Sequence, residues 1–279
     1  MYHEFELRST DGLTLKGRDW RPEGEVRSAI CFIHGLGDHS GRYSHLAGHL
    51  NRSGHAFLAV DLRGHGRSEG KRGLIPKFDY LMDDISLLLS EAQRRYPKHP
   101  ILIYGHSMGG NLVINHAIRR RPPIAGVIAS APLLRMAFEP PLWKKILGQI
   151  TRILWPAMSV SNSLSSKDLS HDPEVVRAYD DDPLVHDRVS VRFLDIREAG
   201  SWALKNAVEF PVPLLLMHGS ADRITDFSAS EKFAASAGDG CTLEIWDGLY
   251  HEIHNEPENE KVFSRITEWL EGIVTTETL

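Results

Sequence analysis

Short apolar runs alternate along the chain with longer segments of helical periodicity. Six runs are apolar or nearly so, as strands are when helices cover both faces of a parallel sheet. They lie at 29–33, 56–60, 101–104, 126–129, 214–217 and 243–246. Two further runs, 5–9 and 13–19, flank an Asp-Gly turn signal and predict an opening hairpin. Helices are predicted at 42–51, 78–95, 109–120, 228–236 and 258–273. The alternation predicts an α/β fold with a mostly parallel eight-stranded sheet flanked by helices.

One long segment interrupts this alternation. Residues 134–207 contain no clear sheet strand and are rich in aromatic, Met and Pro residues. We therefore predict a core made of 1–133 and 208–279, with a helical cap inserted at 134–207. Within it, residues 142–154 place apolar side chains on one arc of a helix and basic side chains on the other. This pattern is typical of helices that cover a core and of helices that dock on a lipid surface, and both roles stay open.

Composition narrows the class of protein. The chain has 279 residues, 42% hydrophobic and 25% charged, which is typical of a globular protein with a sizeable core. A net charge of -5 argues against a nucleic-acid partner, and two cysteines are too few for a disulfide framework or a thiolate metal site. The charged N-terminus does not resemble a signal peptide, and no apolar run is long enough to span a membrane. We expect a cytoplasmic enzyme or binding protein, with peripheral membrane attachment left open.

The strongest candidate for chemistry is Ser107. Residues 105–109 read Gly-His-Ser-Met-Gly, directly after the apolar run 101–104 and directly before a helical pattern. This strand–turn–helix context is typical of a nucleophile elbow, in which the two glycines leave room for a strained serine on a tight turn. The turn lifts the hydroxyl above the carboxyl edge of the sheet, at a helix N-terminus that favours negative charge. We predict that Ser107 is a nucleophile.

A serine hydroxyl needs a general base and an orienting carboxylate. Asp222 and His251 each follow an apolar run, in the chain order serine, acid, histidine that this motif requires. Because the carboxyl ends of parallel strands meet at one edge of a sheet, we expect both side chains to converge on Ser107. Asp226 and His254 are the near alternatives. Residues 251–254 read His-Glu-Ile-His, one residue short of the metalloprotease pattern, so the sequence does not favour zinc.

Two backbone N–H groups are candidates for an oxyanion hole. The Met108 N–H follows the nucleophile directly, where an oxyanion would form. The second donor is expected in the loop after the third strand, where small residues let the backbone approach a substrate closely. We predict that this donor is the Leu36 N–H.

Five motifs together are similar to those of a known family. They lie at 34–43, 61–68, 105–110, 218–222 and 250–252. Together they resemble the monoacylglycerol lipase and lysophospholipase branch of the α/β-hydrolase superfamily, over about residues 5–270. The resemblance implies the α/β-hydrolase fold, Ser107 as nucleophile, Asp222 as acid, His251 as base, and Leu36 and Met108 as oxyanion donors. It implies no metal and no organic cofactor.

The resemblance also implies a substrate class. We expect a serine hydrolase that cleaves the carboxylic ester of a lipid with one acyl chain, most simply a monoacylglycerol, through an acyl-enzyme. A lysophospholipase and a short-chain carboxylesterase are the alternatives within this fold, and a non-catalytic ligand-binding homologue is the alternative from another class. Substrate contacts are expected from residues of the cap and of the core, namely Trp143, Ile146, Leu147, Arg42 and His254. The cap could also contact a membrane.

Overall fold

An eight-stranded sheet organises the computed structural model of the chain, which describes residues 2–138 and 141–277 apart from the side chains at 142, 144–146, 276 and 277. The strands, in chain order, are β1 (Tyr2–Arg8), β2 (Thr14–Trp20), β3 (Ser28–Ile33), β4 (His55–Val60), β5 (Ile101–His106), β6 (Gly126–Ser130), β7 (Ser159–Ser161), β8 (Arg188–Ser190), β9 (Leu214–Gly219) and β10 (Cys241–Trp246). The main sheet has the order β1-β2-β4-β3-β5-β6-β9-β10. Only the pairings of β1 with β2 and of β2 with β4 are antiparallel, which confirms the predicted sheet.

Helices cover both faces of the sheet. In chain order, the helices of the described residues are α1 (Ser44–Arg52), α2 (Phe78–Arg95), α3 (Met108–Arg120), α4 (Leu142–Leu154), α5 (Pro173–Asp181), α6 (Phe193–Lys205), α7 (Phe227–Ala237) and α8 (Asn259–Glu277), of which α4 and α5 do not cover the sheet. Because successive side chains of a strand point to opposite faces, Cys31 packs with the apolar side chains of α2 and α3 while Phe32 packs with those of α1 and α8. Strands β3, β4, β5, β6 and β9 are buried along their whole length.

Two local predictions differ from the structure. Strand β10 is half-buried at every position rather than covered on both faces, because it is the edge strand of the sheet. The helix predicted at 42–51 begins earlier, as a 3-10 turn over Ser40–Tyr43 that leads into α1. The Nδ1 atom of His39 accepts from the Gly41 N–H at 3.1 Å and so caps this turn, which is a role that the hydrophobic pattern does not reveal.

Segment 134–207 connects β6 to β9 outside the main sheet. It carries α4, α5 and α6 together with an antiparallel pair of three-residue strands, β7 and β8. This pair was not predicted, because three residues are too few to show an alternating pattern. Helix α6 packs closely on the core, since a side chain at Gly200 would lie 2.6 Å from the carbonyl oxygen of Leu133.

Two glycines with positive φ let core loops pack against residues 186–190. A side chain at Gly37 would lie 2.2 Å from the carbonyl oxygen of His186, and one at Gly73 would lie 2.0 Å from that of Arg188. The His186 N–H donates to the Gly37 carbonyl at 2.9 Å, and the Ser190 N–H donates to the Gly73 carbonyl at 3.0 Å. Segment 134–207 is therefore fastened at the carboxyl edge of the sheet. Within the described ranges, no helix is both long enough and apolar enough to cross a membrane.

Candidate active site

Ser107 lies on a sharp turn between β5 and α3. Its backbone has φ 55° and ψ -117°, a strained conformation for a residue with a side chain. Its N–H donates to the Ser130 carbonyl at 2.9 Å. A side chain at Gly105 would lie 2.2 Å from the Gly109 carbonyl oxygen, so the glycines on either side of Ser107 leave the space that the turn requires. The predicted strand–turn–helix geometry is therefore present.

A cavity of about 560 Å³ opens at this edge of the sheet. Ser107, Leu36, Met108 and His251 all contribute to its wall. Segment 134–207 contributes much of the rest of the wall, through residues of α6 and residues around β8. The structure thus brings four of the predicted site residues to one cavity, although they lie up to 215 positions apart in the chain (36 to 251).

Asp222 holds the imidazole of His251. Its Oδ2 accepts from Nδ1 of His251 at 2.7 Å, and its Oδ1 accepts from the backbone N–H groups of Ile224 and Thr225 at 2.7 and 3.0 Å. Burial opposes the ionised form, but the charge of His251 and the hydrogen bonds to the carboxylate outweigh it and hold the pKa of Asp222 well below its usual range. Asp226, the alternative acid, instead caps α7 and pairs with Arg135 at 2.6 Å, so it does not serve His251.

His251 is buried with its second ring nitrogen available for chemistry. Because the Asp222 carboxylate only accepts, Nδ1 carries the proton and Nε2 is the basic nitrogen. Burial lowers the pKa of His251, but the charge and hydrogen bond of Asp222, helped by Glu252 and Asp38, outweigh burial and raise it above its usual value. No hydrogen bond between described residues uses Ser107 Oγ or His251 Nε2. In unliganded sites such hydrogen bonds are often long and tighten when substrate binds.

His254, the alternative base and a predicted substrate contact, occupies a different place. Its ring is fully buried, 4.8 Å from the ring of Tyr43 and 4.7 Å from that of His106. It is not part of the cavity wall. Burial lowers the pKa of His254 to about 3, so the ring is neutral. The prediction of a substrate contact for His254 is wrong, because the ring packs in the interior between the 3-10 turn Ser40–Tyr43 and β5.

The two residues predicted to supply oxyanion donors, Leu36 and Met108, both lie on the cavity wall. Met108 is the first residue of α3, and the first N–H groups of a helix have no acceptor within it. Among the described residues, the Leu36 N–H donates no hydrogen bond to a backbone carbonyl. Gly35 packs against the nucleophile, since a side chain there would lie 3.3 Å from Cβ of Ser107. Both N–H groups therefore remain available to a ligand oxygen beside Ser107.

Arg42, predicted to contact substrate, instead forms buried ion pairs. Its guanidinium donates to both carboxylate oxygens of Glu252 at 2.8 and 2.7 Å and to Asp38 at 3.1 Å. The side chain is 10% exposed, stacks over the Tyr179 ring at 4.7 Å and is not part of the cavity wall. The prediction is wrong for Arg42, because the carboxylates of Asp38 and Glu252 neutralise its charge, and the sequence motifs do not reveal this pairing.

The large apolar side chains of α4 that the structure describes are about half exposed or more. Trp143 and Leu147, two predicted substrate contacts, are 61% and 54% exposed and are not part of the cavity wall. The side chain of Ile146, the third, lies outside the described residues. Gly148 faces the cavity instead, beside Leu194. The predictions for Trp143 and Leu147 are wrong, because a hydrophobic stripe does not tell which side of a helix packs against the protein.

Most residues of the cavity wall were not predicted from the sequence. One part of the wall is apolar, and its residues are Leu133, Met136, Val191, Phe193 and Leu194. Another part carries charge, from Asp38, Asp180, Asp182, Asp187, Glu252 and Arg197. Most of these residues belong to segment 134–207, which carries no motif. In the part of the chain that the structure describes, no group of three or more His, Cys, Asp or Glu side chains is arranged to hold a metal ion.

The chain is similar to known hydrolases over most of its length. Residues 24–258 match the Hydrolase_4 family, described as serine aminopeptidase, S33. The chain is 32% identical over 277 residues to the monoacylglycerol lipase of Mycolicibacterium smegmatis, covering 96% of each chain. It is 35% identical over 269 residues to an abhydrolase domain-containing protein of Dictyostelium discoideum, covering 95% of this chain but only 28% of that much longer protein.

A solved structure agrees with these sequence matches. The crystal structure of Paleococcus ferrophilus monoacylglycerol lipase superposes with a TM-score of 0.85 and 34% identity, covering 93% of this chain and 99% of that one. The predicted α/β-hydrolase fold is thereby confirmed. The chain belongs to the serine aminopeptidase S33 family, in the monoacylglycerol lipase and lysophospholipase branch of the α/β-hydrolase superfamily.

Proposed function

We propose that the protein is a serine hydrolase that cleaves the ester bond of a monoacylglycerol and releases glycerol and a fatty acid. The observation that carries this proposal is the shared cavity of Ser107 and His251, with Asp222 hydrogen-bonded to His251 at 2.7 Å. The relatives and the solved structure named as monoacylglycerol lipases support the substrate class. The presence of a nucleophile, a base and an acid disfavours a non-catalytic ligand-binding role.

The proposed reaction follows from the position of each group. Ser107 Oγ attacks the ester carbonyl while Nε2 of His251 takes its proton, and Asp222 stabilises the resulting imidazolium. The N–H groups of Leu36 and Met108 bind the oxyanion. Collapse of the tetrahedral intermediate breaks the ester bond, and His251 returns the proton to the departing glycerol oxygen. Water, activated by His251, then hydrolyses the acyl-enzyme and frees Ser107.

The charge of the cavity wall supports a neutral head group. Five carboxylates lie on the wall among the described residues, against one arginine, Arg197. Arg42, behind the wall, offsets a further part of this negative charge through Asp38 and Glu252. A phosphate would be repelled by the remaining carboxylates, whereas the hydroxyls of glycerol can donate to them. This favours monoacylglycerol over lysophospholipid, and the apolar part of the wall favours a longer acyl chain over a short-chain ester.

We propose that segment 134–207 acts as a cap over the core and that its α4 end contacts a lipid surface. Six large apolar side chains in and directly after α4 are between 49% and 79% exposed, namely Trp143, Leu147, Ile150, Ile153, Leu154 and Trp155. On another side of the helix, Arg152 donates to Asp195 at 2.8 Å and to Glu198 at 2.9 Å. An exposed apolar face beside a lipid-binding cavity would let substrate enter from a membrane without crossing water.

A substrate panel with a nucleophile variant tests the proposed reaction. Ser107→Ala should lower hydrolysis of a monoacylglycerol by at least ~10³-fold with an unchanged melting temperature. Ser90→Ala, which removes a hydroxyl from the exposed side of α2, is the matched control and should keep wild-type activity. With the wild type, the monoacylglycerol should be cleaved faster than a lysophospholipid of the same chain. Wild-type activity in Ser107→Ala would refute the proposal, and faster cleavage of the lysophospholipid would refute the head-group assignment.

A further inference from the structure

A second imidazole lies against the Asp222 carboxylate. His218, near the end of β9, is fully buried, and its Nε2 is 3.1 Å from Oδ2 of Asp222. Its Nδ1 is 2.8 Å from Oγ of Ser230, on α7. The ionised carboxylate can only accept, so Nε2 of His218 carries a proton, and the Ser230 hydroxyl can donate to Nδ1. This arrangement satisfies both ring nitrogens of His218 and fixes its orientation.

The Oδ2 atom of Asp222 therefore receives several donors at once. Nδ1 of His251 is 2.7 Å away, Oγ1 of Thr225 is 2.7 Å away and Nε2 of His218 is 3.1 Å away. The Nε2–H of His218 is also 3.1 Å from Oγ1 of Thr225, which in turn donates to Oδ2, so His218 acts on the carboxylate both directly and through this hydroxyl. Each donor stabilises part of the negative charge on the oxygen, and less of that charge is left for the remaining partners. His218 and His251 thus draw on the same carboxylate oxygen.

We infer that His218 is a positioning residue for the proposed reaction: it fixes the Asp222 carboxylate and limits how strongly that carboxylate binds the His251 imidazolium. The inference rests on the proposed function, because it concerns the base of that reaction. A base that is held too tightly in its charged form passes its proton poorly to the leaving alcohol. Sharing the carboxylate between two imidazoles keeps His251 a base that can both take and return a proton.

Other groups around His251 also set its charge balance. The carboxylates of Asp38 and Glu252 favour its charged form, and Arg42 offsets both. The neighbouring rings of His106 and His254 are neutral, because burial lowers the pKa of each. Segment 134–207 adds charged and titratable groups to the same cavity wall, namely Tyr179, Asp180, Asp182, His186, Asp187 and Arg197. A change at His218 leaves all of these groups in place, so its effect on His251 can be isolated.

The test is the acidic limb of the pH profile of kcat/KM, measured with a monoacylglycerol. His218→Leu removes the donor and should move this limb upward by ~0.5 to 1 pH unit, with kcat on the plateau lowered by roughly 3- to 30-fold. His218→Gln can donate to Asp222 and accept from Ser230, so it should restore the wild-type limb. An acidic limb in His218→Leu that superimposes on the wild type would overturn the inference, as would an equal shift in both variants.

Two further variants, Ser230→Ala and Asp222→Asn, complete the test. If His218→Leu does not fold, Ser230→Ala takes its place: it removes the partner of Nδ1, and a smaller upward shift of the same limb is expected. An unchanged limb in Ser230→Ala would then contradict the inference. The variant Asp222→Asn separates this inference from the proposed function. If Asp222→Asn keeps its activity, the proposed reaction is refuted. If Asp222→Asn is inactive while His218→Leu has the wild-type pH profile, only the role of His218 is refuted.

Discussion

At the scale of single residues, the Arg42–Glu252 pair carries buried charge beneath the proposed active site. Its two hydrogen bonds are 2.8 and 2.7 Å long, and both side chains are nearly inaccessible to solvent. Burial opposes ionisation of Glu252, but Arg42 outweighs it and holds the pKa of Glu252 well below its usual range. Because Glu252 follows His251 directly, this pair also fixes the loop that carries the proposed base.

Breaking that pair should destabilise the fold. Arg42→Leu leaves the buried Glu252 carboxylate with a hydrogen bond from Asn255 but without its cation, which should lower the free energy of unfolding by about 3–5 kcal/mol near neutral pH. Because the pKa of Glu252 is lower in the folded than in the unfolded protein, the pair stabilises the fold fully above the unfolded value of about 4.5, and this stability is lost as the pH falls from there through the folded-state pKa. The deficit of Arg42→Leu should therefore shrink as the pH is lowered below about 4.5. Arg120→Leu, which breaks the exposed pair with Asp83, should cost less than about 1 kcal/mol. Denaturant titrations at two pH values measure both variants, and equal losses would contradict this account.

The pH dependence of the proposed reaction also belongs to the residue scale. Nε2 of His251 must be neutral to accept the Ser107 proton, so kcat/KM should fall as the pH drops through the pKa of His251. The carboxylate of Asp222 raises that pKa against the effect of burial, which places the acidic limb above the ordinary value of 6.5. Initial rates between pH 5 and pH 9 measure it. A flat profile from pH 5 to pH 8 would contradict the assignment of His251 as base.

The predictions for single residues came from motifs in which the backbone conformation restricts the residue types. Ser107, Asp222 and His251 were predicted because each follows a strand end and because a tight turn needs glycines around the serine. The roles of Arg42 and His254 could not be predicted in this way, because Arg42 lies within a motif and His254 just after one, but distant residues determine the surroundings of both. Arg42 and Glu252 form an ion pair although they lie 210 positions apart in the chain, and no pattern in the sequence predicts such a pairing.

At the scale of elements, α4 carries a large exposed apolar surface. Its amphipathic pattern was predicted, but its orientation was not, because a periodic stripe fits a helix that packs inward as well as one that faces outward. The structure turns Ile150, Ile153 and Leu154 toward solvent. The short strands β7 and β8 were missed for a different reason, since three-residue pairings depend on partners far away in the chain.

Removing apolar side chains from this surface should weaken membrane binding. We expect Ile153→Ser combined with Trp155→Ser to lower partitioning onto phospholipid vesicles by at least about tenfold, because less apolar area enters the lipid surface. Hydrolysis of a water-soluble ester should stay at the wild-type rate, since neither side chain is part of the cavity wall. Val208→Ser, at an exposed apolar residue outside α4, is the control. Equal vesicle binding by all three proteins in a sedimentation assay would refute the proposed lipid contact.

At the scale of the whole molecule, segment 134–207 is tied to the loops that carry the proposed acid and base. The Ala137 N–H donates to the Ile224 carbonyl at 3.1 Å, close to Asp222. The buried carboxylate of Glu256 accepts from both the backbone N–H and the ring of His171, at 2.8 and 3.0 Å, close to His251. The proposed cap and the proposed catalytic residues therefore share one hydrogen-bonded framework at the carboxyl edge of the sheet.

The overall architecture was predictable because the parallel strands are buried and apolar and because the crossover helices are long. The eight strands of the main sheet all appear close to their predicted positions. The shape of the cavity was not predictable, since it depends on how segment 134–207 folds back over the core through contacts such as those at Gly37 and Gly73. Backbone pattern therefore determined the fold class, while long-range packing determined the substrate-facing wall.

The central claim is that Ser107 is the nucleophile of an ester hydrolase, and covalent labelling tests it most directly. A fluorophosphonate probe, which phosphonylates activated serines, should react with the native protein, and mass spectrometry of its peptides should place one adduct on Ser107. Labelling should disappear in Ser107→Ala and after denaturation, since activation needs His251 and Asp222 in place. Adduct formation on another serine, or undiminished labelling of Ser107→Ala, would contradict the claim.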